Sequence, residues 1–314
     1  MSPPVSAVIL AFNRLRAVNR VIDELEAQGV VDEIIVVDTG TDGTAAAVRE
    51  RGIEAFEPGD VGVAGRNVGA EAATHDLILM LDDDSFPVPG SVEFLVGAME
   101  ANPRLAVATG LIRDTTWEGE VLQATHPGSF DWFLRAGRTG DPPEGFEVFF
   151  FAEGGCLARR RAFLDAGGFF APYFFTQSEI DATMRIAAAG WEVRYFPQAA
   201  FDHLKATEGR ARYDRTLRLR IRNQLWHFWL RYPPAMAVPR IAGYLAFDLV
   251  ECTYRGHPGV WASAIGDAWR ERGTVAPYRR PLPRDVIRHV ERNRGRMHLE
   301  LLWAQLRRRL PLSS

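Results

Sequence analysis

The chain has 314 residues, of which 47% are hydrophobic and 25% are charged, and its formal net charge is −3. These values exclude a disordered chain and allow one large α/β domain with extensions. Two cysteines, Cys156 and Cys252, are too few for a disulfide framework and indicate a reducing cytoplasm. No signal peptide and no apolar run of about 18 residues is apparent, which predicts a cytoplasmic protein, either soluble or peripheral on the inner face of the membrane.

The charge is unevenly distributed along the chain. Residues 1–204 carry 15 basic and 31 acidic side chains, whereas residues 205–314 carry 22 and 9. The first part is therefore strongly acidic and the second strongly basic, which suggests that the second part faces an anionic surface or partner. No recognised nucleic-acid module accompanies the arginines, so nucleic acid is not predicted as a partner.

Apolar runs alternate with helical patterns along the first two thirds of the chain. Buried strands are predicted over residues 5–11, 34–37, 53–56, 77–81, 105–112 and 191–196. Helices are predicted after the first two strands, over residues 62–69 and 91–99, and from residue 179 to 190. This alternation predicts an α/β fold with a doubly wound, mainly parallel sheet. We expect a catalytic domain over residues 1–205 and a mostly helical, basic extension over residues 206–314.

Acidic residues stand where two of these strands end. The run Leu77 to Leu81 leads into Asp82, Asp83 and Asp84, whose mutual repulsion a hard divalent cation such as Mg²⁺ or Mn²⁺ would relieve. Asp38 ends another strand, and there it can accept hydrogen bonds from a pyrimidine base or a ribose hydroxyl. The pattern predicts a metal and diphosphate site, and the alternative is a solvated acidic turn after a core strand.

Other nucleotide-binding patterns find little support. No Gly-x-Gly-x-x-Gly opens the first helix, and no Gly-x-x-x-x-Gly-Lys-Ser/Thr occurs. Residues 114–148 are rich in loop formers and carry Trp117, His126 and Trp132. They are either an acceptor-facing segment or an irregular packing insertion.

The order of the motifs resembles that of the inverting family 2 glycosyltransferases, which have the GT-A fold of the nucleotide-diphosphosugar transferases. The resemblance covers roughly residues 5–205. Its motifs are Asn13-Arg14, Asp38 to Thr44, Gly65-Arg66-Asn67-Val68-Gly69, Asp82-Asp83-Asp84, Gly154-Gly155, Gly167-Gly168-Phe169, Glu179-Ile180-Asp181 with Arg185, and Pro197 to His203.

The resemblance implies a transferase that binds a UDP- or dTDP-sugar with Mg²⁺ or Mn²⁺ and inverts the anomeric carbon. Asp38 matches the residue that contacts the base, and Asp82 and Asp84 match the Asp-x-Asp pair, with Asp84 favoured as the metal ligand. His203 matches a further metal or diphosphate contact. The implied nucleotide-sugar contacts are Ala11, Asn13, Arg14, Asp38, Gly65, Arg66, Asp82, Asp83, Gly154 and Gly155.

The resemblance also places the catalytic base. Glu179 stands where the family usually has the second acid of a Glu-Asp-x-Asp string, which here reads Ser178-Glu179-Ile180-Asp181. Asp181 and Arg185 fix the register, so the carboxylate is retained but reaches about one methylene further. Asp181 is the alternative base, in which case Glu179 orients the acceptor.

The rest of the chain bears on which type of transferase is expected. Residues 210–229 resemble, less specifically, the region after the catalytic domain in rhamnosyltransferase-like members. The Gln-x-x-Arg-Trp string of processive synthases is absent, which favours single addition to a saccharide, a lipid-linked saccharide or a natural product. A sugar nucleotidyltransferase and a non-catalytic nucleotide-sugar-binding partner protein are the alternatives. Leu299, Leu302, Trp303, Leu306 and Leu310 predict a C-terminal helix that lies on an anionic membrane or docks on the acidic domain.

Overall fold

A single mixed sheet forms the centre of the protein. The computed structural model describes residues 3–125, 142–204 and 213–292. In the described residues the sheet order is β3-β2-β1-β4-β9-β6-β10-β5, with β7 paired to β6 and β8 paired to β10. The strands are β1 (Val5–Ala11), β2 (Glu33–Asp38), β3 (Glu54–Phe56), β4 (Leu77–Asp82), β5 (Ser85–Pro87), β6 (Leu105–Thr115), β7 (Val121–Thr125), β8 (Phe146–Glu147), β9 (Gly155–Arg159) and β10 (Glu192–Leu204).

Helices cover both faces of this sheet and form the extension. They are α1 (Leu15–Gln28), α2 (Thr44–Glu50), α3 (Gly65–Ala72), α4 (Ser91–Ala101), α5 (Arg160–Asp165), α6 (Ser178–Ala188), α7 (Tyr213–Arg231), α8 (Pro234–Tyr254), α9 (Pro258–Arg270) and α10 (Arg272–Val275). Residues 284–292 are also helical. Short 3-10 turns stand at Gly62–Ala64, Ala171–Tyr173 and Ala276–Tyr278.

The apolar strands are explained by burial on two faces. Alternate residues of β1 point to opposite sides of the sheet, so Ile9 packs with Val18 and Ile22 of α1. Val8 packs in the other apolar cluster, which also contains Ala70 of α3. Because each face has its own helical cover, the strands read as continuous apolar runs rather than alternating ones.

The register of the parallel strands brings their ends together. Ala11 lies beside Asp38, and Leu10 lies beside Asp82. The first residues after β1, β2 and β4 therefore share one edge of the sheet, which is where ligands of open α/β sheets bind.

Several strands differ from the sequence-based expectation. The short strands β5, β7 and β8 were not predicted. The five-residue β9 was not predicted as a strand, and it lies antiparallel between β4 and β6. The last strand was expected to end at Phe196, but β10 continues to Leu204 after a shift of register between Phe196 and Ala200. The shift accommodates Pro197, which has no N–H for the ladder. It also keeps His203 on the sheet, beside Asp114.

The extension packs directly on the region around α6. One shared apolar cluster contains Phe149 and Met184 with Phe228 and Tyr232 of the extension. Several of its arginines bond to its own acids: the pairs are Arg218 with Asp267, Arg220 with Asp248 and Glu251, Arg222 with Glu271, and Arg240 with Glu291. These pairs leave the net basic excess of the extension unchanged, because its own acids are already counted in that excess.

Among the residues that the structure describes, no helix is long and apolar enough to cross a membrane. The predictions for His126, Trp132 and the C-terminal apolar face from Leu299 to Leu310 lie outside the described residues. The division at residues 205 and 206 stays a prediction.

Substitution of one glycine on α3 and one on α4 tests how closely α3 packs against β1. A Cβ on Gly69 of α3 would overlap Val8 Cγ1, whereas a Cβ on Gly97 of α4 would meet nothing within 4 Å. We expect Gly69→Ala to lower the free energy of unfolding by about 1–3 kcal/mol through overpacking. The matched control Gly97→Ala should raise it by about 0.5–1 kcal/mol, because alanine restricts the unfolded chain and favours the helix. Denaturant unfolding measures both, and equal effects would contradict the close approach of α3 to β1.

Candidate functional site

Three carboxylates stand at the end of β4, and Arg14, which follows β1, bonds to two of them. Arg14 Nη1 lies 3.0 Å from Asp83 Oδ1 and also bonds to Asp84. The backbone N–H of Phe12 donates to Asp83 Oδ2 at 3.0 Å. The loop after β1 is thus tied to the acids by charge and by hydrogen bonds.

A second arginine lies beneath the same acids. The Arg66 side chain is 1% exposed, bonds to Asp82, and has Nη1 3.8 Å from Glu153 Oε2. Asp82 itself is 39% exposed, the most open of the three carboxylates. A Cβ on Gly154 would overlap the Asp82 carboxylate, so glycine is required for Asp82 to occupy this position. Arg66 and Gly154 therefore orient Asp82 into the crevice.

Asp82, Asp84 and His203 form a cluster whose donor atoms suit a divalent cation. One ligand atom from each residue lies within 4.8 Å of the others. Carboxylate oxygens are the donors that Mg²⁺ and Mn²⁺ prefer, and an imidazole nitrogen is compatible with Mn²⁺. His203 Nδ1 lies 2.8 Å from Asp114 Oδ1, which orients the ring and leaves Nε2 facing Asp84 at 3.3 Å. The residues present fit the metal that the sequence predicts.

Neighbouring groups shift the pKa values of His203 and Asp83. The hydrogen bond to Asp84 raises the pKa of His203 to about 9, with a further contribution from Asp114. Burial, followed by the neighbouring Asp84 charge, raises the pKa of Asp83 to about 7 although Arg14 opposes the shift. With no cation bound, the ring of His203 is therefore protonated at neutral pH, and Nε2 would have to release its proton to bind a metal.

Asp38 and Asn13 shape the loops beside the acids. The Asp38 carboxylate is 3% exposed and accepts hydrogen bonds from the N–H groups of Gly40 and Ala45, each at 2.9 Å. Asn13 Oδ1 accepts from the Thr41 N–H at 2.7 Å. The structure therefore places both predicted residues at the edge, where they join the loops after β1 and β2.

Three further predicted nucleotide contacts are buried. Ala11 is fully buried. Its carbonyl oxygen accepts a hydrogen bond of 2.9 Å from the N–H of Thr39, the first residue after β2. A Cβ on Gly65 would lie 2.6 Å from Leu10 Cδ1, so this glycine lets α3 approach β1. Arg66 bonds to acids rather than facing solvent. Ala11, Gly65 and Arg66 are therefore buried beneath the edge of the sheet.

The two acids at the start of α6 lie in opposite environments. Burial raises the pKa of Glu179, and the Asp82 charge adds to the shift while Arg66 opposes it. Asp181 is 0% exposed and bonds to Arg185 Nε at 2.7 Å and to Arg231 Nε at 2.6 Å. Burial opposes its ionisation, but the charges of Arg185 and Arg231 and a bond from His227 hold the pKa of Asp181 well below its usual value. Glu179 therefore lies within the electrostatic influence of Asp82, whereas Asp181 is enclosed by cations.

The loop before Glu179 has an unusual backbone. Phe174, Thr176 and Gln177 all have φ near +64° or +63°, and the one other such non-glycine residue in the described chain is Asn13. Each residue in this region costs on the order of 1–3 kcal/mol, so the surrounding structure must hold the loop. The strain is concentrated beside the acid that the sequence predicts as the base.

Two residues of the site were not predicted. Glu153 is buried beside Arg66, and burial together with the charges of Glu179 and Asp82 raises its pKa well above the usual value, against the effect of Arg66. Asp114 supports His203. Asp114 follows the apolar run of β6, so the strand-end rule that found Asp38 and Asp82 could have found it. No local pattern marks Glu153, because its partner Arg66 is distant in sequence.

The comparisons with known proteins agree with the motif series. A family model described as "Glycosyl transferase family 2" matches residues 6–167. This match confirms the predicted family, and it ends before Glu179 and Asp181. The rhamnosyltransferase-like subtype stays a prediction. Among curated protein sequences, none matches the chain.

Solved structures with the same fold are distant in sequence. GalNAc-T7 with UDP, GalNAc and Mn²⁺ has a TM-score of 0.57 and 14% identity, over 74% of this chain and 49% of that chain. The mannosyltransferase PcManGT of Pyrobaculum calidifontis with GDP-Man and Mn²⁺ has a TM-score of 0.51 and 16% identity, over 97% and 88%. TarS 1-349 of S. aureus with UDP-GlcNAc has a TM-score of 0.58 and 12% identity, over 94% and 88%.

The present chain spans about half the length of GalNAc-T7 and most of the other two structures. At these identities the likeness concerns the fold alone. It confirms the predicted α/β fold of the GT-A type with a mainly parallel sheet.

The opposite environments of the two acids predict opposite effects on stability. Asp181→Asn removes one side of a buried ion cluster and should lower the free energy of unfolding at pH 7 by about 3–5 kcal/mol. Glu179→Gln should not lower it, because the raised pKa means that ionisation above the ordinary value of 4.5 opposes folding. Relative to the unsubstituted protein, Glu179→Gln should gain stability as the pH rises above 4.5 and show no gain below it. Denaturant unfolding at several pH values would refute the assignment if both variants lost stability alike.

Proposed function

The chain belongs to glycosyl transferase family 2, and we propose that it transfers a sugar from a nucleoside-diphosphate sugar to an acceptor hydroxyl, with a divalent metal and inversion at the anomeric carbon. The donor is a UDP- or dTDP-sugar, and one sugar is added to a saccharide, lipid-linked or natural-product acceptor. The observation that carries the proposal is the cluster of Asp82, Asp84 and His203 at the strand edge, whose Asp82 contributes to the raised pKa of Glu179.

The donor end of the site needs positive charge. A nucleoside diphosphate is itself anionic, and three carboxylates at the end of β4 would repel it. When bound, Mg²⁺ or Mn²⁺ would neutralise the acids and the charge that develops on the departing diphosphate. Asp82, Asp84 and His203 would hold the ion, while Arg14 and Arg66 keep the carboxylates oriented. Mn²⁺ accompanies the nucleotide or nucleotide sugar in two of the similar structures, which supports the proposal.

The acceptor end of the site needs a base. Glu179 takes the proton of the acceptor hydroxyl as the oxygen attacks the anomeric carbon. The bond from that carbon to the diphosphate oxygen breaks, the nucleoside diphosphate leaves with the bonding electron pair, and the configuration inverts. The raised pKa of Glu179 brings its basicity closer to neutral pH than that of an exposed carboxylate.

The first prediction from this function concerns the metal. Chelation should weaken UDP binding by at least about tenfold. Loss of a residue that only hydrogen-bonds a metal ligand already lowers metal affinity by about that factor, and chelation removes the metal itself. Asp84→Asn should reproduce the loss, because it removes the charge but keeps the shape. Asp32→Asn is the matched control, since Asp32 caps Val5 at the opposite end of β1. Calorimetry with UDP and Mn²⁺ measures each affinity, and equal values with and without chelator would remove the metal from the account.

The second prediction concerns the base. Glu179→Gln keeps the shape of the side chain but cannot take a proton, so turnover should fall by roughly 10²–10⁴-fold while donor affinity is retained. A panel of UDP- and dTDP-sugars with radiolabelled sugar, assayed for transfer and for hydrolysis, measures this change. A larger defect in Asp181→Asn, with the fold intact, would move the role of base to Asp181.

This assay and a second one for pyrophosphate release separate the alternatives. A non-catalytic nucleotide-sugar-binding partner would bind the donor with metal and turn over none of the panel. A sugar nucleotidyltransferase would release pyrophosphate from a nucleoside triphosphate and a sugar phosphate. The acids and Glu179 favour transfer over both alternatives.

We also propose that the extension contacts an anionic membrane surface. Five apolar residues on α8 are exposed, namely Val238, Phe247, Leu249, Val250 and Tyr254. The charged residues of α8 bond within the protein instead, Arg240 to Glu291, and Asp248 and Glu251 to Arg220. A wide apolar face on a basic extension suits a bilayer interface.

Exchange of one apolar residue tests this contact. Val250→Asp should weaken co-sedimentation with vesicles that contain phosphatidylglycerol, because a charge would enter the apolar interface. Leu122→Asp is the control, since Leu122 is 52% exposed on β7, outside the extension. Equal sedimentation of both variants and the unsubstituted protein at low salt would refute a role for α8.

A further inference from the structure

A stripe of three buried polar side chains runs along α7 toward the start of α6. Asn223, His227 and Arg231 follow one another at intervals of four residues, so they share one face of the helix. They are 0%, 0% and 5% exposed. A buried polar stripe is retained at a cost unless each group has a partner, so its contacts indicate its role.

The first member of the stripe holds the strained loop. Asn223 Nδ2 lies 2.8 Å from the carbonyl oxygen of Tyr173, 2.6 Å from that of Phe175 and 3.2 Å from that of Thr176. The carbonyl of Phe174, between these residues, accepts from the Val63 N–H at 2.9 Å. One amide therefore binds the carbonyl groups of Tyr173, Phe175 and Thr176, in and beside the segment with positive φ values.

The other two members hold the first turn of α6. Arg231 Nε donates to Asp181 Oδ1 at 2.6 Å, and His227 Nδ1 lies 3.4 Å from the same oxygen. Asp181 also bonds to Arg185 of its own helix, and Arg185 reaches the carbonyl of Gly168 at 2.5 Å. Glu179 lies between the loop held by Asn223 and the residue held by Arg231.

We infer that Asn223, His227 and Arg231 are positioning residues, and that α7 fixes the place from which Glu179 takes the acceptor proton. The inference rests on the proposed function for the chemistry, but the holding of the loop is a property of the chain alone. It makes the extension a working part of the catalytic unit. Without these contacts the strained loop at the amino end of α6 would relax and move Glu179. A shift of the base by about 1 Å lowers the rate strongly.

Asn223→Ala tests the inference with two independent readouts. Hydrogen–deuterium exchange of residues 174–181 should become faster, because the carbonyls lose their common donor. Turnover of the best-bound UDP- or dTDP-sugar should fall by roughly 10–100-fold, with the affinity for UDP and Mn²⁺ unchanged. The matched control is Arg218→Ala on the same helix, whose bidentate partner Asp267 lies on α9. It should lower the melting temperature without changing either readout.

A glycine in the loop separates positioning from general stability. Thr176 is β-branched and has a φ of +64°, a conformation that glycine adopts at little cost. If Asn223 acts by holding this conformation, Asn223→Ala should lower turnover less in the Thr176→Gly background than in the unsubstituted chain. If Asn223 only stabilises the fold, glycine in the loop should add to the defect.

The outcomes distinguish this inference from the proposed function. Unchanged exchange and unchanged turnover in Asn223→Ala, with Arg218→Ala as reference, would overturn the inference while the function stands. Absence of turnover in the unsubstituted protein with every donor would overturn the function, and exchange of residues 174–181 would then decide by itself whether α7 holds the loop. Equal defects in the two backgrounds would also count against positioning.

Discussion

The burial of Arg66 beneath Asp82 is the interaction on which the site depends. Carboxylates that meet at one sheet edge repel each other, and taking them out of water raises the cost further. A guanidinium that is 1% exposed and bonded to Asp82 offsets part of that cost and fixes the direction of the acid. Buried ion pairs are poor sources of stability, because desolvation opposes the Coulomb attraction. Arg66 instead orients the Asp82 carboxylate, and Gly154 leaves space for that carboxylate.

Environment, rather than residue type, distinguishes the two acids of α6. They stand two positions apart, yet burial near other acids raises the pKa of Glu179, whereas cations from α6 and α7 lower that of Asp181. One carboxylate is thereby a stronger base than an exposed one, and the other is an anion that joins α7 to α6. The same separation explains why a strained loop can precede Glu179, since the anchored Asp181 keeps the helix in place.

The edge of the sheet was predictable because its signals are local. Apolar runs that end in Asp38 and Asp82 predict both the strands and their common edge, and the structure confirms this through the register of β1 with β2 and β4. The antiparallel β9 was missed because a five-residue strand opened by glycine has no distinctive period. The sequence also predicted nucleotide contacts for Gly65 and Arg66, whose burial depends on how α3 packs against the sheet. Long-range partners, such as Asn223 for the loop before α6, have no signal in the sequence near either residue.

We propose the acid cluster at the end of β4 as the diphosphate and metal site, with Glu179 as the base. The most direct measurement is a crystal structure with UDP and Mn²⁺, in which anomalous scattering locates the metal. The account predicts one manganese peak within bonding distance of Asp84 and His203, with the diphosphate on the same ion and the base of the nucleotide over the loop after β2. A manganese peak away from Asp82, Asp84 and His203, or a nucleotide at another edge of the sheet, would contradict it.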